Sequence, residues 1–203
     1  MRACLVSLLL LLIGSCAPVG SPQAELVEFE VWLAAAPERA PTFARFQAAL
    51  HQAGVADVVA AHQLWLADRL HPECVSAPYV IPDEALWPNI LPALGFIRDH
   101  VKPAVGEVIV VSAYRDEAFN TCIRGAPLSA HQSFHALDLV PANRALGRGD
   151  LIALLCPIHD GAGARDGIGL GIYSGLRFHI DARSFRGWGA DYRRATFPCD
   201  AAG

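Results

Sequence analysis

Two histidines and an aspartate stand in a short stretch of the chain that then turns apolar, SAHQSFHALDL at residues 129–139. His131 and Asp138 are seven residues apart, and an apolar, strand-like run continues from Asp138. A loop histidine can reach back over a strand aspartate at this spacing, because the turn between them reverses part of the separation. Zinc in hydrolases takes three ligands from His, Asp, Glu or Cys and leaves one position for water. The stretch therefore predicts two ligands of a metal site.

A third histidine lies in the alternating stretch FHIDAR at residues 178–183. Successive side chains of a strand point to opposite faces, so His179 and Asp181 are expected on the same face of a sheet. A single histidine in an apolar strand is more often a hydrogen-bonded core residue than a ligand, so this stretch alone is a modest signal. His135 and Asp166 are weaker candidates for a general base at such a site, and the odd spacing of His135 from the aspartate of the first stretch predicts the opposite strand face.

Three stretches in order, SAYRDEAFN, SAHQSFHALD and FHIDAR followed by Trp188, resemble the M15 family of zinc peptidases. This family includes D-alanyl-D-alanine carboxypeptidases, dipeptidases, phage endolysins and murein endopeptidases that act on peptidoglycan peptides. Its pattern is a strand ending in Tyr-Arg, then Ser-x-His with an aspartate seven residues after the histidine, then a late histidine on a strand. The resemblance covers about residues 84–190 and implies a zinc-dependent hydrolase of cell-wall peptides.

Carried over by position, the resemblance implies that His131, Asp138 and His179 bind Zn²⁺. It also implies that Arg115 holds the substrate near the scissile amide. The planar guanidinium suits a carboxylate or a carbonyl oxyanion better than a lysine would. Ser129 matches the serine of the Ser-x-His pair, and it is either a turn-forming hydroxyl that bonds its own backbone or a substrate contact.

Two positions depart from the family pattern. The glycine that usually stands three residues after the first ligand is Phe134, so the turn must tolerate a side chain there or Phe134 lines the site. Many relatives carry a catalytic Glu or Asp three residues before the last ligand, and this chain has Leu176 there. Asp181 is the leading replacement, either as the general base or as the partner that orients the ring of His179. Without a replacement, the alternative function is a peptidoglycan-binding module that does not hydrolyse.

The N-terminal stretch MRACLVSLLLLLIGSC has the charged, apolar and small-residue regions of a secretory signal, and it is too short to span a membrane. Its last four residues resemble the bacterial lipobox. The resemblance implies a signal peptide over residues 1–15, a lipid anchor on Cys16 and a tether over residues 16–24. Ala17 after the cysteine favours the outer membrane. The prediction is a periplasmic lipoprotein, and ordinary secretory cleavage is the alternative.

The composition fits an exported globular protein. Removal of the signal with Arg2 takes the formal net charge from -4 to -5, and Lys and Arg form no block, which argues against a nucleic-acid partner. An even number of cysteines after the signal of an exported chain predicts two disulfides, with three possible pairings. The four candidates are Cys74, Cys122, Cys156 and Cys199.

The succession of patterns predicts an α+β fold, with helices first and an antiparallel sheet formed mainly by the second half of the chain. Residues 25–72 are expected to form an N-terminal helical cap that includes a helix over residues 57–70, and residues 73–203 the peptidase-like domain. Residues 107–112 (EVIVVS) are typical of a buried strand. The glycine spacing and alternation of residues 167–189 predict a β-hairpin that carries the last predicted ligand.

Overall fold

The computed structural model describes residues 22–68, 71–74 and 78–201. Within these residues the chain forms a five-stranded mixed sheet with flanking helices, which confirms the predicted α+β class. The predicted signal peptide and the lipidation site at Cys16 lie outside the described residues. Of the helices that the structure describes, none combines the length and the apolar character that a membrane span requires.

Two N-terminal helices, α1 (Pro22–Ala34) and α2 (Arg39–Gln52), pack against the core. Phe46 and Leu50 recur at helical spacing on α2, and both are buried. Aromatic rings from both helices lie against Trp65, which is itself fully buried. The predicted helical extension therefore shares one hydrophobic core with the residues that follow it.

The predicted helix over residues 57–70 is wrong. The described part of this stretch contains only a 3-10 helix, Ala61–Trp65, and the chain then runs extended. Leu66 forms an isolated β-bridge with Tyr79, and its carbonyl accepts a hydrogen bond of 2.8 Å from the N–H of Ala113. A carbonyl that bonds a neighbouring strand is not available to a helix. Pairing with distant residues thus overrides the local apolar pattern.

A continuous helical segment over residues 84–105 follows. It begins after Asp83, whose side chain accepts a hydrogen bond of 3.0 Å from the N–H of Ala85. Pro92 lies where the 3-10 helix passes into α3, in the first turn of that α-helix. The segment consists of a 3-10 helix (Glu84–Ile90), α3 (Leu91–Phe96), a π-helix (Ile97–Val101) and α4 (Lys102–Val105). The later helices are α5 (Glu117–Cys122), α6 (Arg148–Ile158), a π-helix (His159–Gly163) and α7 (Ala164–Asp166), with short 3-10 helices at Pro72–Cys74, Arg194–Thr196 and Pro198–Ala201.

The sheet has the strand order β1-β2-β4-β3-β5. The predicted hairpin is present as the antiparallel pair β3 and β4, but β3 and β5 run parallel, so the prediction of an antiparallel sheet is wrong at this edge. The chain reverses after β4 and passes to the far side of β3, which gives β5 the direction of β3. The strands are β1 (Val108–Ser112), β2 (Ala136–Pro141), β3 (Gly169–Ile172), β4 (Phe178–Asp181) and β5 (Arg186–Trp188).

Two disulfides join parts of the chain that are distant in sequence, as the cysteine count predicts. Cys74 bonds Cys122 at the end of α5, and Cys156 on α6 bonds Cys199 near the C-terminus. By restricting the unfolded chain, each bond stabilises the fold by about 4 kcal/mol in the loop-entropy treatment. The first also fixes the segment that follows the extended stretch at Leu66 against α5.

Candidate metal centre

The three predicted ligands meet at one point in the structure. The register of β2 and β4 places Asp138 opposite His179, and the turn before β2 brings His131 over the same strand. His131 Nε2 lies 3.2 Å from His179 Nδ1 and 3.4 Å from Asp138 Oδ2. His179 Nδ1 lies 2.9 Å from Asp138 Oδ1. All three residues are buried, so the chain brings a carboxylate and two imidazole nitrogens together out of bulk water.

The turn that carries His131 contains a left-handed residue, Phe134, with φ of 54°. This backbone conformation favours glycine, and a phenylalanine there is strained. The Phe134 ring is fully buried, and it packs against Phe46 and Tyr114, which offsets that cost. Of the two expectations for this position, the structure fits the first: the turn tolerates the side chain, and the ring lies in the core and not along the pocket.

Arg115 reaches the same cluster from the end of β1. The register of β1 against β2 shifts between Val110 and Ser112, beside Asp138, and such irregularities redirect the side chains that follow. Arg115 Nε donates to Ser112 Oγ at 2.8 Å, and Arg115 Nη2 donates to Asp138 Oδ2 at 2.6 Å. The arginine that the resemblance assigned to the substrate is thus held next to a predicted metal ligand.

A second arginine, Arg177, contacts the same carboxylate and was missed by the sequence reasoning. Its Nη2 lies 2.5 Å from Asp138 Oδ2, and its guanidinium lies 5.1 Å from the ring centre of Tyr173. Arg177 directly precedes β4, two residues before His179, so the strand alternation places it on the ligand face. The alternation that placed His179 and Asp181 on one face therefore also predicts Arg177 on that face.

Each histidine is held by its other ring nitrogen. His131 Nδ1 lies 2.6 Å from the carbonyl oxygen of Ala113, to which it donates, and His179 Nε2 lies 3.0 Å from Asp181 Oδ2. Such bonds fix the orientation and the tautomer of a metal-binding imidazole. His131 Nε2 and His179 Nδ1 are therefore the nitrogens that face Asp138.

Asp181 lies on the opposite side of the His179 ring from Asp138. It is fully buried, it accepts hydrogen bonds of 3.0 and 2.7 Å from the Arg186 guanidinium, and it accepts one of 3.0 Å from the N–H of Arg183. Asp181 is not among the described residues that line the pocket. Of its two predicted roles, this geometry favours orientation of His179 over proton transfer to a substrate.

The pKa values of the two histidines in the cluster shift in opposite directions. Burial, with Arg115 adding to it, lowers the pKa of His131 to about 4, so this ring is neutral at pH 7 and has the form that binds a metal. Burial alone would also lower the pKa of His179, but its hydrogen bonds to Asp138 and Asp181 raise it. Burial opposes ionisation of Asp138 as well, yet His131, His179 and Arg115 hold the pKa of that carboxyl well below its usual value. The site is thus built around an ionised carboxylate.

The cluster forms one wall of a pocket of about 870 Å³. Trp188 lines this pocket, and its ring centre lies 5.0 Å from that of His179. Arginines outnumber acidic residues along the described wall, although the whole chain is acidic, so the pocket favours an anionic ligand. The arginines are Arg115, Arg124, Arg177, Arg186 and Arg194, and the acidic residues are Asp68 and Asp138.

The remaining predicted residues have lesser roles. Ser129 lines the pocket, and its Oγ accepts a hydrogen bond of 3.3 Å from the N–H of His131, which fits the turn-forming role. His135 Nδ1 lies 3.0 Å from Ser133 Oγ, outside the cluster. Asp166 lies 3.9 Å from His100, also away from it. Neither of the two weaker candidates joins the site.

The donor atoms of the cluster fit a divalent metal. Ligand atoms of a tetrahedral zinc ion lie about 3.3 Å apart when the metal–ligand distance is about 2.0–2.1 Å. The separations among His131 Nε2, His179 Nδ1 and the oxygens of Asp138 are close to this value. Within the described part of the chain, these three residues are the group that can hold an ion. Two imidazoles and a carboxylate also suit other first-row metals, so zinc is a proposal.

Comparisons of the chain with protein-family models, with curated proteins and with solved structures found no match. The resemblance to the M15 peptidases therefore rests on the three sequence motifs. The site itself is a buried His-Asp-His cluster at the wall of an arginine-lined pocket.

Proposed function

We propose that this protein is a zinc-dependent metallopeptidase that cleaves peptidoglycan stem peptides. The observation that carries the proposal is the convergence of His131, Asp138 and His179 at the wall of a pocket that Arg115 also lines. Three protein ligands with room for water is the arrangement of catalytic zinc sites. When bound there, zinc acts as a Lewis acid that polarises the carbonyl and lowers the pKa of water.

The arginines of the site bind and orient the substrate. Arg115 is fixed by Ser112 and Asp138, so its guanidinium needs no rearrangement to meet the negative charge that develops on the carbonyl oxygen. Arg177 shares the same oxygen of Asp138, which leaves the other oxygen towards His179. Together the two arginines keep Asp138 in one orientation and contribute to the positive charge of the pocket.

The proposed substrate agrees with the charge of the pocket. Stem peptides of peptidoglycan carry free carboxylates, for which guanidinium groups are the best matched side chains. Arg124 lines the pocket, is exposed, and has a left-handed backbone (φ 54°) just after the end of α5. Tyr192, also on the pocket wall, is 75% exposed and has φ of 64°. These two side chains are placed to contact a peptide at the pocket entrance.

The proposed location is the periplasm, with a lipid anchor on Cys16 that holds the protein at the outer membrane. Its support is the signal-like N-terminal sequence together with the two disulfides, which form in oxidising compartments. Such an anchor would keep the pocket beside peptidoglycan. The partners are then peptidoglycan peptides and the membrane, and not nucleic acid.

The test is metal analysis of the mature chain, followed by incubation of the zinc-loaded protein with purified sacculi and chromatography of the muropeptides. We expect about one zinc per chain and new products whose identity names the bond. His131→Ala loses zinc and products together, whereas the matched variant His135→Ala keeps both, since His135 lies outside the cluster. Stoichiometric zinc in His131→Ala would refute the ligand assignment.

A second candidate is a tethered peptidoglycan-binding module that does not hydrolyse. It is favoured by Leu176 at the position of the usual catalytic acid and by the location of Asp181 behind His179. For this candidate, the zinc-loaded protein binds sacculi in a pull-down and leaves the muropeptide profile unchanged. The same incubation therefore separates the two functions.

A further inference from the structure

Hydrolysis at this site requires a group in the pocket that accepts a proton from water. Leu176 has no such group, and Asp181 is not among the described residues that line the pocket. The described residues that line the pocket include two carboxylates, Asp68 and Asp138, and Asp138 is committed to the metal cluster. We propose that Asp68 is the general base of the site. This inference rests on the proposed peptidase function and names the residue that replaces the missing acid.

Asp68 belongs to the N-terminal half of the chain, and hydrogen bonds of the backbone just before it hold this segment at the pocket. The carbonyl of Leu66 accepts from the N–H of Ala113, and the N–H of Ala67 donates to the carbonyl of Pro78, both at 2.8 Å. The hydroxyl of Ser112 donates to the carbonyl of Ala67. The extended stretch that leads to Asp68 is thereby bonded to the end of β1, a few residues before Arg115.

The surroundings of Asp68 place its carboxylate next to the metal cluster. Asp68 is 2% exposed, and its Oδ2 lies 3.9 Å from Arg115 Nη2. The same nitrogen lies 2.6 Å from Asp138 Oδ2, so one Arg115 nitrogen stands between the two carboxylates. The other oxygen of Asp68 lies 3.6 Å from Nδ1 of His71, a residue that also lines the pocket. Arg115 Nη2 thus links Asp68 to the cluster, and a water in the pocket between them can pass its proton to Asp68.

The proton transfers balance with Asp68 as the acceptor. Asp68 takes one proton from the attacking water while the water oxygen bonds to the amide carbonyl carbon. The carbon–nitrogen bond then breaks, and the protonated Asp68 gives that proton to the leaving nitrogen. Arg115, which contacts Asp68, lies where the carbonyl oxygen gains negative charge. Asp68 ends the cycle as the carboxylate with which it began.

Two other side-chain oxygens on the pocket wall are less suited to the role. Burial raises the pKa of the Tyr173 hydroxyl, so it stays protonated and can donate but not accept at neutral pH. Ser129 already accepts a hydrogen bond from the N–H of His131. Asp68 combines a carboxylate with a place on the wall beside Arg115.

The experiment compares the full-length wild type with Asp68→Asn, which keeps the shape of the side chain and removes its basicity. Three quantities are measured: zinc per chain, binding to sacculi, and the rate of muropeptide release at saturating sacculi. We expect zinc and binding to remain as in the wild type and the rate to fall at least about 100-fold, the contribution typical of general base catalysis. Asp166→Asn serves as the control, because Asp166 is a carboxylate beside His100 and away from the cluster, and all three quantities stay as in the wild type.

Addition of formate to Asp68→Ala tests the chemistry separately from the fold. The truncated side chain leaves space for a small carboxylate, so formate restores part of the rate in a folded, zinc-loaded variant. An unchanged rate in Asp68→Asn, or no recovery with formate, overturns the role of Asp68 and leaves the peptidase intact. A zinc-loaded wild type that releases no muropeptides overturns both.

Discussion

Two aspartates flank the ring of His179, and the two regions around them are built differently. The pocket side holds Asp138 together with side chains from distant parts of the chain, namely His131, Arg115 and Arg177. The core side holds Asp181, whose partners come from the few residues that follow it in sequence, Arg183 and Arg186. Both carboxylates lie near the same ring, yet only the first lines the pocket among the described residues. Access, and not residue type, decides which aspartate can hold a metal.

The charges on the two sides also differ. Asp138 faces two arginines, and Asp68 adds a second carboxylate to the first of them, so the pocket side is a network of four charged groups. Besides the His179 ring, Asp181 has one charged side-chain partner among the described residues, Arg186. Removal of one member from a buried network leaves the others unpaired, which costs more than the pair itself contributes. Substitution of a charged residue on the pocket side should therefore lower the free energy of unfolding more than substitution on the core side.

The largest effect is expected for Asp138→Asn. The amide cannot replace the charge that Arg115 and Arg177 require, so we expect loss of zinc and a decrease of about 3–5 kcal/mol in the free energy of unfolding. Metal analysis and urea unfolding measure the two effects. Asp99→Asn is the control, because its ion pair with Arg98 is exposed and such pairs contribute little. One zinc per chain in Asp138→Asn would contradict the difference between the two sides.

A smaller effect is expected for Asp181→Asn on the core side. The asparagine still reaches His179 Nε2 but supports the ring less well, so zinc should bind about 10–100-fold more weakly. Once zinc is saturating, muropeptide release should be close to that of the wild type. Competition with a chelator of known affinity gives the first quantity. Full zinc occupancy with no release would instead make Asp181 the general base.

Substitutions of Arg177 and Arg186 are expected to change the zinc affinity in opposite directions. Arg177→Gln removes a positive charge from beside Asp138, so we expect zinc to bind up to roughly tenfold more tightly. Arg186→Gln removes the guanidinium that holds Asp181 in place against His179. The ring of His179 is then less well oriented, so zinc binding should weaken by a similar factor. The same chelator competition measures both variants. A change of the same sign in both would show that the two sides do not act independently.

Local sequence patterns predicted the parts of the site that depend on local structure. The spacing within SAHQSFHALDL and the alternation within FHIDAR, together with the family resemblance, gave the residues that the structure brings together, and the same alternation extends to Arg177. Contacts between distant segments could not be predicted in this way. The pairing of Leu66 with the end of β1 replaces a predicted helix and brings Asp68 to the pocket, and no local periodicity encodes it. The parallel placement of β5 and the disulfide pairing depend on long-range packing for the same reason.

His159 supports the core side from behind β5. Its Nε2 lies 3.2 Å from the carbonyl oxygens of Ile168 and Arg186, and its ring stacks on Phe185 with centres 4.5 Å apart. Burial lowers the pKa of His159, and nearby Arg194 adds to this. Asp160, 3.8 Å from Nδ1, and the two carbonyl bonds act in the opposite direction without reversing the shift.

The smallest effect is therefore a pH dependence that originates on the core side. Because the folded pKa of His159 is below the ordinary value of about 6.5, the unfolded chain binds more protons there, and stability present above that pH is lost as the pH falls through it. His159→Gln keeps hydrogen-bond donors for the two carbonyls but does not titrate, so its free energy of unfolding should fall less on acidification than that of the wild type. Urea unfolding of both proteins in chelator, above and below about pH 6.5, measures the difference. His131, whose pKa is lowered to about 4, acts with the same sign in both proteins and cancels. Parallel pH profiles would show that His159 already accepts a proton in the folded state and that the core side is more open than its burial indicates.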